Sequence, residues 1–182
     1  MDIFYEQIIK KTKKTSDILL ISGALILSVL LTASIIFLFL CGITFWGFFL
    51  FFIFIIWWLF AKLIGNYNLE YEYTITNHEF DIDIIKGKKQ RKHITTINLK
   101  KAEYFGNTKN PQTVLEMKKS GAPAKEYYFV KSKDSQNIFV TDVISKKDGS
   151  KIRVYIEPDQ KMAECIRLAN PRAFIDALTR GE

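Results

Sequence analysis

The chain has 182 residues, with 26 Lys and Arg against 19 Asp and Glu for a formal net charge of +7, and a mean hydropathy of +0.04. That length leaves room for about one domain and something more. The near-zero hydropathy is an average of two materials, because no charged residue occurs from Ile18 to Ala61; a uniformly mixed, water-soluble chain is excluded.

Residues 1–16 read as a short amphipathic lead. Ile3, Phe4, Ile8 and Ile9 mix with Asp2, Glu6 and the lysines, which suits either a segment in the lipid headgroup region or a frayed tail whose lysines set topology. The uncharged run comes next. As one helix at about 1.5 Å per residue it would be about 66 Å long, roughly twice the ~30 Å of a bilayer's hydrocarbon core. Two passes fit, with Cys41-Gly42-Ile43-Thr44 as the interruption, giving helices at 17–40 and 43–64 within a membrane hairpin of residues 17–65. Neither helix has the polar face that a soluble core helix needs. The run is too long for the apolar region of a signal peptide, and no small-residue cleavage site ends it.

Lys10, Lys11, Lys13 and Lys14 precede the first span, Lys62 and a basic segment follow the second, and the connecting loop is uncharged. The positive-inside rule then predicts a multi-pass cell-membrane protein with both termini cytoplasmic, and Trp57 and Trp58 suit an inner interfacial belt. Cys41 and Cys165 fall on opposite sides of the membrane on this topology, so they are not expected to pair. In the first span Ala24, Ser28 and Thr32 share a face that suits packing on the second helix near Thr44 and Gly47, the default given the short connection, or on a partner protein. Neither span carries an ionisable residue in its interior, which argues against a transporter or channel.

From Leu69 the period becomes two. Leu69, Tyr71, Tyr73 and Ile75 alternate with Glu70, Glu72, Thr74 and Thr76; Phe80, Ile82 and Ile84 alternate with Glu79, Asp81 and Asp83. Asn77-His78 and a basic Lys86–Gln90 turn join these to a third strand at 91–99. In 100–124 only Val114–Met117 reads as a strand. Tyr127–Val130, Asn137–Ile144 and Ile152–Ile156 follow, with Asp148-Gly149 as a hairpin turn. Pro158-Asp159 opens a helix with Met162, Ile166 and Ala169 on one face. Asn170-Pro171 reads as N-cap and first residue of a second short helix burying Phe174, Ile175 and Leu178.

The stretch Leu69–Asn77 (Leu-Glu-Tyr-Glu-Tyr-Thr-Ile-Thr-Asn), with Phe80–Ile85, the basic turn and Ile94–Leu99, resembles the opening meander of bacterial pleckstrin-homology-like membrane proteins. The layout is similar to an uncharacterised family of small two-helix proteins from Gram-positive bacteria. The resemblance implies an α+β fold: an N-terminal transmembrane helical hairpin, then a mostly antiparallel β pleckstrin-homology-like cytoplasmic domain at 66–182, capped by a C-terminal helix. It implies a partly open barrel or two packed sheets and no particular chemistry.

Lys86, Lys88, Lys89, Arg91 and Lys92 are the candidate anionic-surface residues, since cations close to an anionic leaflet contribute about 1 kcal/mol each. Contact with the surface, a solvated turn and a specific anionic ligand all remain open for this cluster. Acidic residues interleave with the basic ones throughout 66–182, so nucleic acid is not an expected partner. His78 and His93 lack a second ligand at metal spacing. No phosphate loop, nucleophile elbow or paired-carboxylate motif is present, so neither a cofactor nor catalysis is expected. The leading expectation is a membrane-anchored, non-enzymatic binding or scaffolding module at the inner leaflet. Its partners would be the bilayer, anionic headgroups or an unidentified membrane protein. The alternatives are an accessory or assembly subunit of a larger membrane complex, and an enzyme on a lipid-proximal substrate.

Overall fold

The computed structural model describes residues 3–42, 46–144 and 149–175. The chain forms two compact units. One takes residues 1–11, 70–85 and 91–182, and the other takes 12–69 with the turn 86–90.

The strand unit begins earlier than expected. Residues Phe4–Lys10, read above as an amphipathic lead, are strand β1. It pairs antiparallel with β2 (Leu69–Thr76) in register from Phe4↔Thr76 to Lys10↔Glu70. The alternation of Tyr5, Gln7 and Ile9 with Phe4, Glu6 and Ile8 suits a strand as well as an interfacial segment, and pairing also satisfies the backbone. Ile9 is buried, Gln7 bonds the main chain at Glu157 and Asp159, and the Tyr5 hydroxyl donates to Asp159. Residues 11–68 are therefore an insertion in the connection of a β-hairpin. With β3 (Glu79–Lys86) and β4 (Gln90–Asn98) these strands form a four-stranded sheet in sequential order.

After a 3-10 turn at Leu99–Lys101 comes the second sheet. It holds β5 (Phe105–Asn107), β6 (Lys125–Phe129), β7 (Phe139–Ile144), β8 (Lys151–Ile156) and β9 (Phe174–Ile175), in the order β6-β8-β7-β5-β9. The β6–β8 and β5–β9 pairs are parallel, and the pairs inside them antiparallel. Tyr73, Ile75, Phe80 and Ile82 of the first sheet and Val154 and Ile156 of the second share one core, closed by Met162 and Ile166. Those two lie on the helix Gln160–Ala169, which Asp159 caps by accepting from the Met162 amide at 2.7 Å.

Two further expectations do not hold. Val114–Met117 is helical, inside a helix at Pro111–Lys119. The Asn110 side chain accepts from the Gln112 amide at 2.9 Å with Pro111 in the first turn, an N-cap signature. The matching pair Asn170-Pro171 starts no helix. The Asn170 amide instead donates to Leu99 O at 2.7 Å, the Phe105 amide bonds Ala173 O, and Phe174 stacks on Phe105 and Phe139 in β9. Leu178 and Asp148 lie outside the described residues; Gly149, the second residue of the expected hairpin turn, has φ +66°.

The helical unit contains α1 (Thr15–Leu40) and α2 (Trp46–Tyr67); with these labels, the helices at Pro111–Lys119 and Gln160–Ala169 are α3 and α4. Both α1 and α2 are long and apolar enough to cross a membrane. The Asp17 carboxylate accepts from the Lys14 amide at 3.0 Å and places negative charge at the positive end of α1. Ser28 is the buried residue of α1, flanked by half-buried Ala24 and Thr32. Phe39 meets Phe49 edge to face at 6.2 Å. Ser28 and Thr32 donate to the carbonyls of Ala24 and Ser28, each at 2.8 Å, so their hydroxyls are satisfied within the helix. Gly47 lies in the first turn of α2, and Thr44 is outside the described residues.

Candidate functional site

The basic turn has the conformation of a primed hairpin turn. Gly87 and Lys88 have φ of +57° and +60°, and the Lys89 amide donates to Lys86 O at 3.1 Å. It docks on the end of α2. The Gly87 amide donates to Asn68 O at 2.9 Å, and a Cβ at Gly87 would stand 3.3 Å from Gly65 O. The missing Cβ of Gly87 thus lets the turn approach the helix backbone closely, whereas a Cβ at Gly65 would meet open space. Gly87→Val is expected to undock the turn, since a β-branched residue at positive φ costs about 1–2 kcal/mol before crowding is counted. Hydrogen exchange at residue 87 reads this directly: amide protection is lost, and unchanged protection would mean that the close approach is not needed.

Between the turn and the helix lies a groove of about 680 Å³. Trp58, Lys62 and Asn66 line it from α2, and Lys86, Lys89 and Gln90 from the turn. No carboxylate lines it. The Lys62 ammonium sits 4.2 Å from the centre of the Trp58 ring, in cation–π range.

The five candidate surface cations are divided between the two units. Lys86, Lys88 and Lys89 belong to the turn, whereas Arg91 and Lys92 are on β4 in the strand unit. Arg91 is also engaged: its Nε donates to Glu72 at 2.7 Å and lies 3.3 Å from Asp83. Sequence reading gave Lys62 and Trp58 only as flank and interfacial belt, and it missed Asn66 and Gln90. The Trp-Trp-x-x-x-Lys ending of the second span was a signal, but nothing in it points to residues 86–90.

On the same sheet face as Arg91, His93 Nδ1 is 2.8 Å from Asp83, and His93 Nε2 is 3.3 Å from Thr96 Oγ1. His93 and Thr96 are three residues apart yet share a face, as at a β-bulge. The threonine, histidine and aspartate are ordered like nucleophile, base and orienting acid. The roles do not fit, because Thr96 donates its proton to Asp81. Asp81 and Asp83, read above as alternating with the apolar residues of their strand, are thus partnered. Among the described residues no three His, Cys, Asp or Glu side chains converge as a metal site would.

A second polar cluster is buried. Asp142 of β7 and Arg153 of β8 are register partners with side chains 1% and 8% exposed. Arg153 donates from Nε and Nη2 to the two carboxylate oxygens at 2.7 and 2.8 Å, and to the carbonyls of Met117 and Gly121 at the end of α3. Ser120 donates to Asp142 at 2.7 Å. Burial pushes the Asp142 pKa up, but the bonds from Arg153 and Ser120 outweigh it and hold the carboxyl below its ordinary value. Burial, then the Asp142 charge, raise the nearby Tyr104 phenol. The bonds of Asp142, Arg153 and Ser120 end on the protein itself, which makes the cluster a fastening for α3, while the Tyr104 hydroxyl is buried without a hydrogen-bond partner.

The family model described as bacterial PH-like domain (DUF6106) matches residues 1–176. The chain belongs to this family. The match includes β1 and both apolar helices as well as the two sheets, so the apolar helices and the strand domain are parts of one family pattern. The comparisons found no matching curated protein and no matching solved structure. Family membership makes a binding or scaffolding module the functional class, and PH-like domains are typically non-catalytic.

Proposed function

We propose that the chain is a membrane-anchored, non-enzymatic binding or scaffolding module of the inner leaflet. The observation that carries this reading is the docking of the lysine-rich turn on the last turns of an apolar helix long enough to span a bilayer. Cations at that position are where the positive-inside rule puts the cytoplasmic end. The β1–β2 register adds support: the chain departs at Lys10 and returns at its partner Glu70, so both ends of the helical pair are tied to one hairpin tip. A two-pass hairpin satisfies that closure, with both termini on the cytoplasmic side.

Cysteine labelling in intact cells tests the orientation. Cys41, at the exposed end of α1, is expected to react with an impermeant maleimide. Asp134→Cys in a Cys41→Ser background, on an exposed loop of the strand unit, is expected to react only after permeabilisation. External labelling at position 134 would overturn the inner-leaflet reading.

A further inference from the structure

We infer that the groove between the end of α2 and the 86–90 turn is a seat for the headgroup of an anionic phospholipid, its phosphate held by Lys62, Lys86 and Lys89. This deepens the membrane-anchored reading and rests on it. Three ammonium groups face one cavity that no carboxylate lines, and among the described residues none of the three forms an ion pair. A site with that charge is complementary to an anion. About 680 Å³ is large for an inorganic anion and suits a glycerophosphate headgroup with the start of its chains.

The walls choose between a lipid and a free anion. Trp58 supplies an apolar wall, and its ring is already turned to a cation, the amphipathic arrangement found at headgroup depth. Directly towards the membrane centre, Phe54 on the same helix is 67% exposed, so α2 offers an open apolar track for an acyl chain below the cations. The groove is also preformed. The Gly87 amide bond to Asn68 O and the Gly65–Gly87 approach fix the turn against the helix, so little ordering is left for binding. Lys86 and Lys89 close the hairpin turn from its two sides, which places both on the groove that Lys62 enters from the helix. Asn66, one turn on from Lys62, adds an amide donor for a phosphate or glycerol oxygen.

The test uses the full chain in nanodiscs, with Trp58 as the reporter after Trp46→Phe and Trp57→Phe. Quenching by dibrominated phosphatidylglycerol is compared with quenching by dibrominated phosphatidylcholine at equal mole fraction. The expected result is a preference for phosphatidylglycerol that falls about fivefold per lysine removed through Lys62→Gln, Lys86→Gln and Lys89→Gln. Lys118→Gln with Lys161→Gln, at exposed positions elsewhere, leaves the preference intact. Inorganic phosphate at millimolar concentration does not restore the fluorescence. Equal quenching by both lipids overturns the headgroup seat while leaving the membrane anchor standing. Relief of quenching by inorganic phosphate overturns the lipid in favour of a free-anion site. No quenching by either lipid overturns the seat together with the membrane placement of α2.

Discussion

Asp142→Ala is expected to destabilise the strand unit by about 3–5 kcal/mol, a large share of a typical 5–15 kcal/mol total. The substitution leaves the Arg153 guanidinium buried with only the carbonyls of Met117 and Gly121 as acceptors, and it removes the acceptor of Ser120. The double change Asp142→Leu with Arg153→Met takes both charges away at similar volume and is expected to recover most of the loss. Hydrogen exchange at the β7 and β8 amides in the detergent-solubilised chain measures both. A loss below about 1 kcal/mol in the single variant would show that the pair does not hold α3. The pH dependence has a definite sign. The Asp142 carboxyl is held below its unfolded value, so its contribution is complete above the ordinary carboxylate pKa of about 3.9 and is lost as pH falls through the depressed folded value. The Asp142→Leu, Arg153→Met variant lacks that acid-sensitive component.

A fragment of residues 66–182 is expected to be much less stable than the same domain with its first strand restored. Without residues 3–10 the sheet loses Ile9, whose burial contributes about 1.5–3 kcal/mol, and the main-chain bonds of Gln7, about 0.5–1.5 kcal/mol each. Asp159, the cap of α4, loses two of its partners at the same time. The β1–β2 register prescribes the repair: residues 3–10 followed by Asn-Gly and then Glu70 onward, because Lys10 and Glu70 are already opposite one another. The deficit of about 3–6 kcal/mol should appear as a difference of more than about 10 °C between the two melting temperatures. Coincident melting curves would mean that β1 adds nothing to the core.

The parts of the fold that could be read from sequence were those with local periodicity. The uncharged run from Ile18 to Ala61 announces two apolar helices, and the alternation in β2, β3 and β8 is visible residue by residue. Strand β1 was not legible, because its partner lies beyond both apolar helices and its own pattern fits a bilayer surface equally well. Asn110-Pro111 and Asn170-Pro171 show the same limit from another side. The dipeptide is identical, and the residues after it decide its conformation. Thr113 and Met117 repeat at helical spacing beneath α3, whereas Phe174 has an aromatic stack to join. Asp142 and Arg153 each stand in the middle of an apolar strand, and their placement across one hairpin was a usable signal of a buried pair. The groove had no such signal, since its two halves are joined through the backbone contacts of Gly65, Asn68 and Gly87, to which no side-chain pattern points.

The insertion of residues 11–68 inside a β-hairpin also sets an order of events during synthesis. Strand β1 leaves the ribosome first, and both apolar helices are made before its partner β2 exists. For that interval β1 is an open strand whose exposed Phe4 and Ile8 and unpaired backbone are available to any other chain. Its two outward charges, Glu6 and Lys10, are then its only guard against pairing with the wrong neighbour. Closing the hairpin afterwards carries the loop entropy of everything between, about 0.6 kcal/mol more for each doubling of loop length. On the membrane-anchored reading, committing the helices to the bilayer early shortens that search, because the free ends left to find one another are then only the few residues on either side.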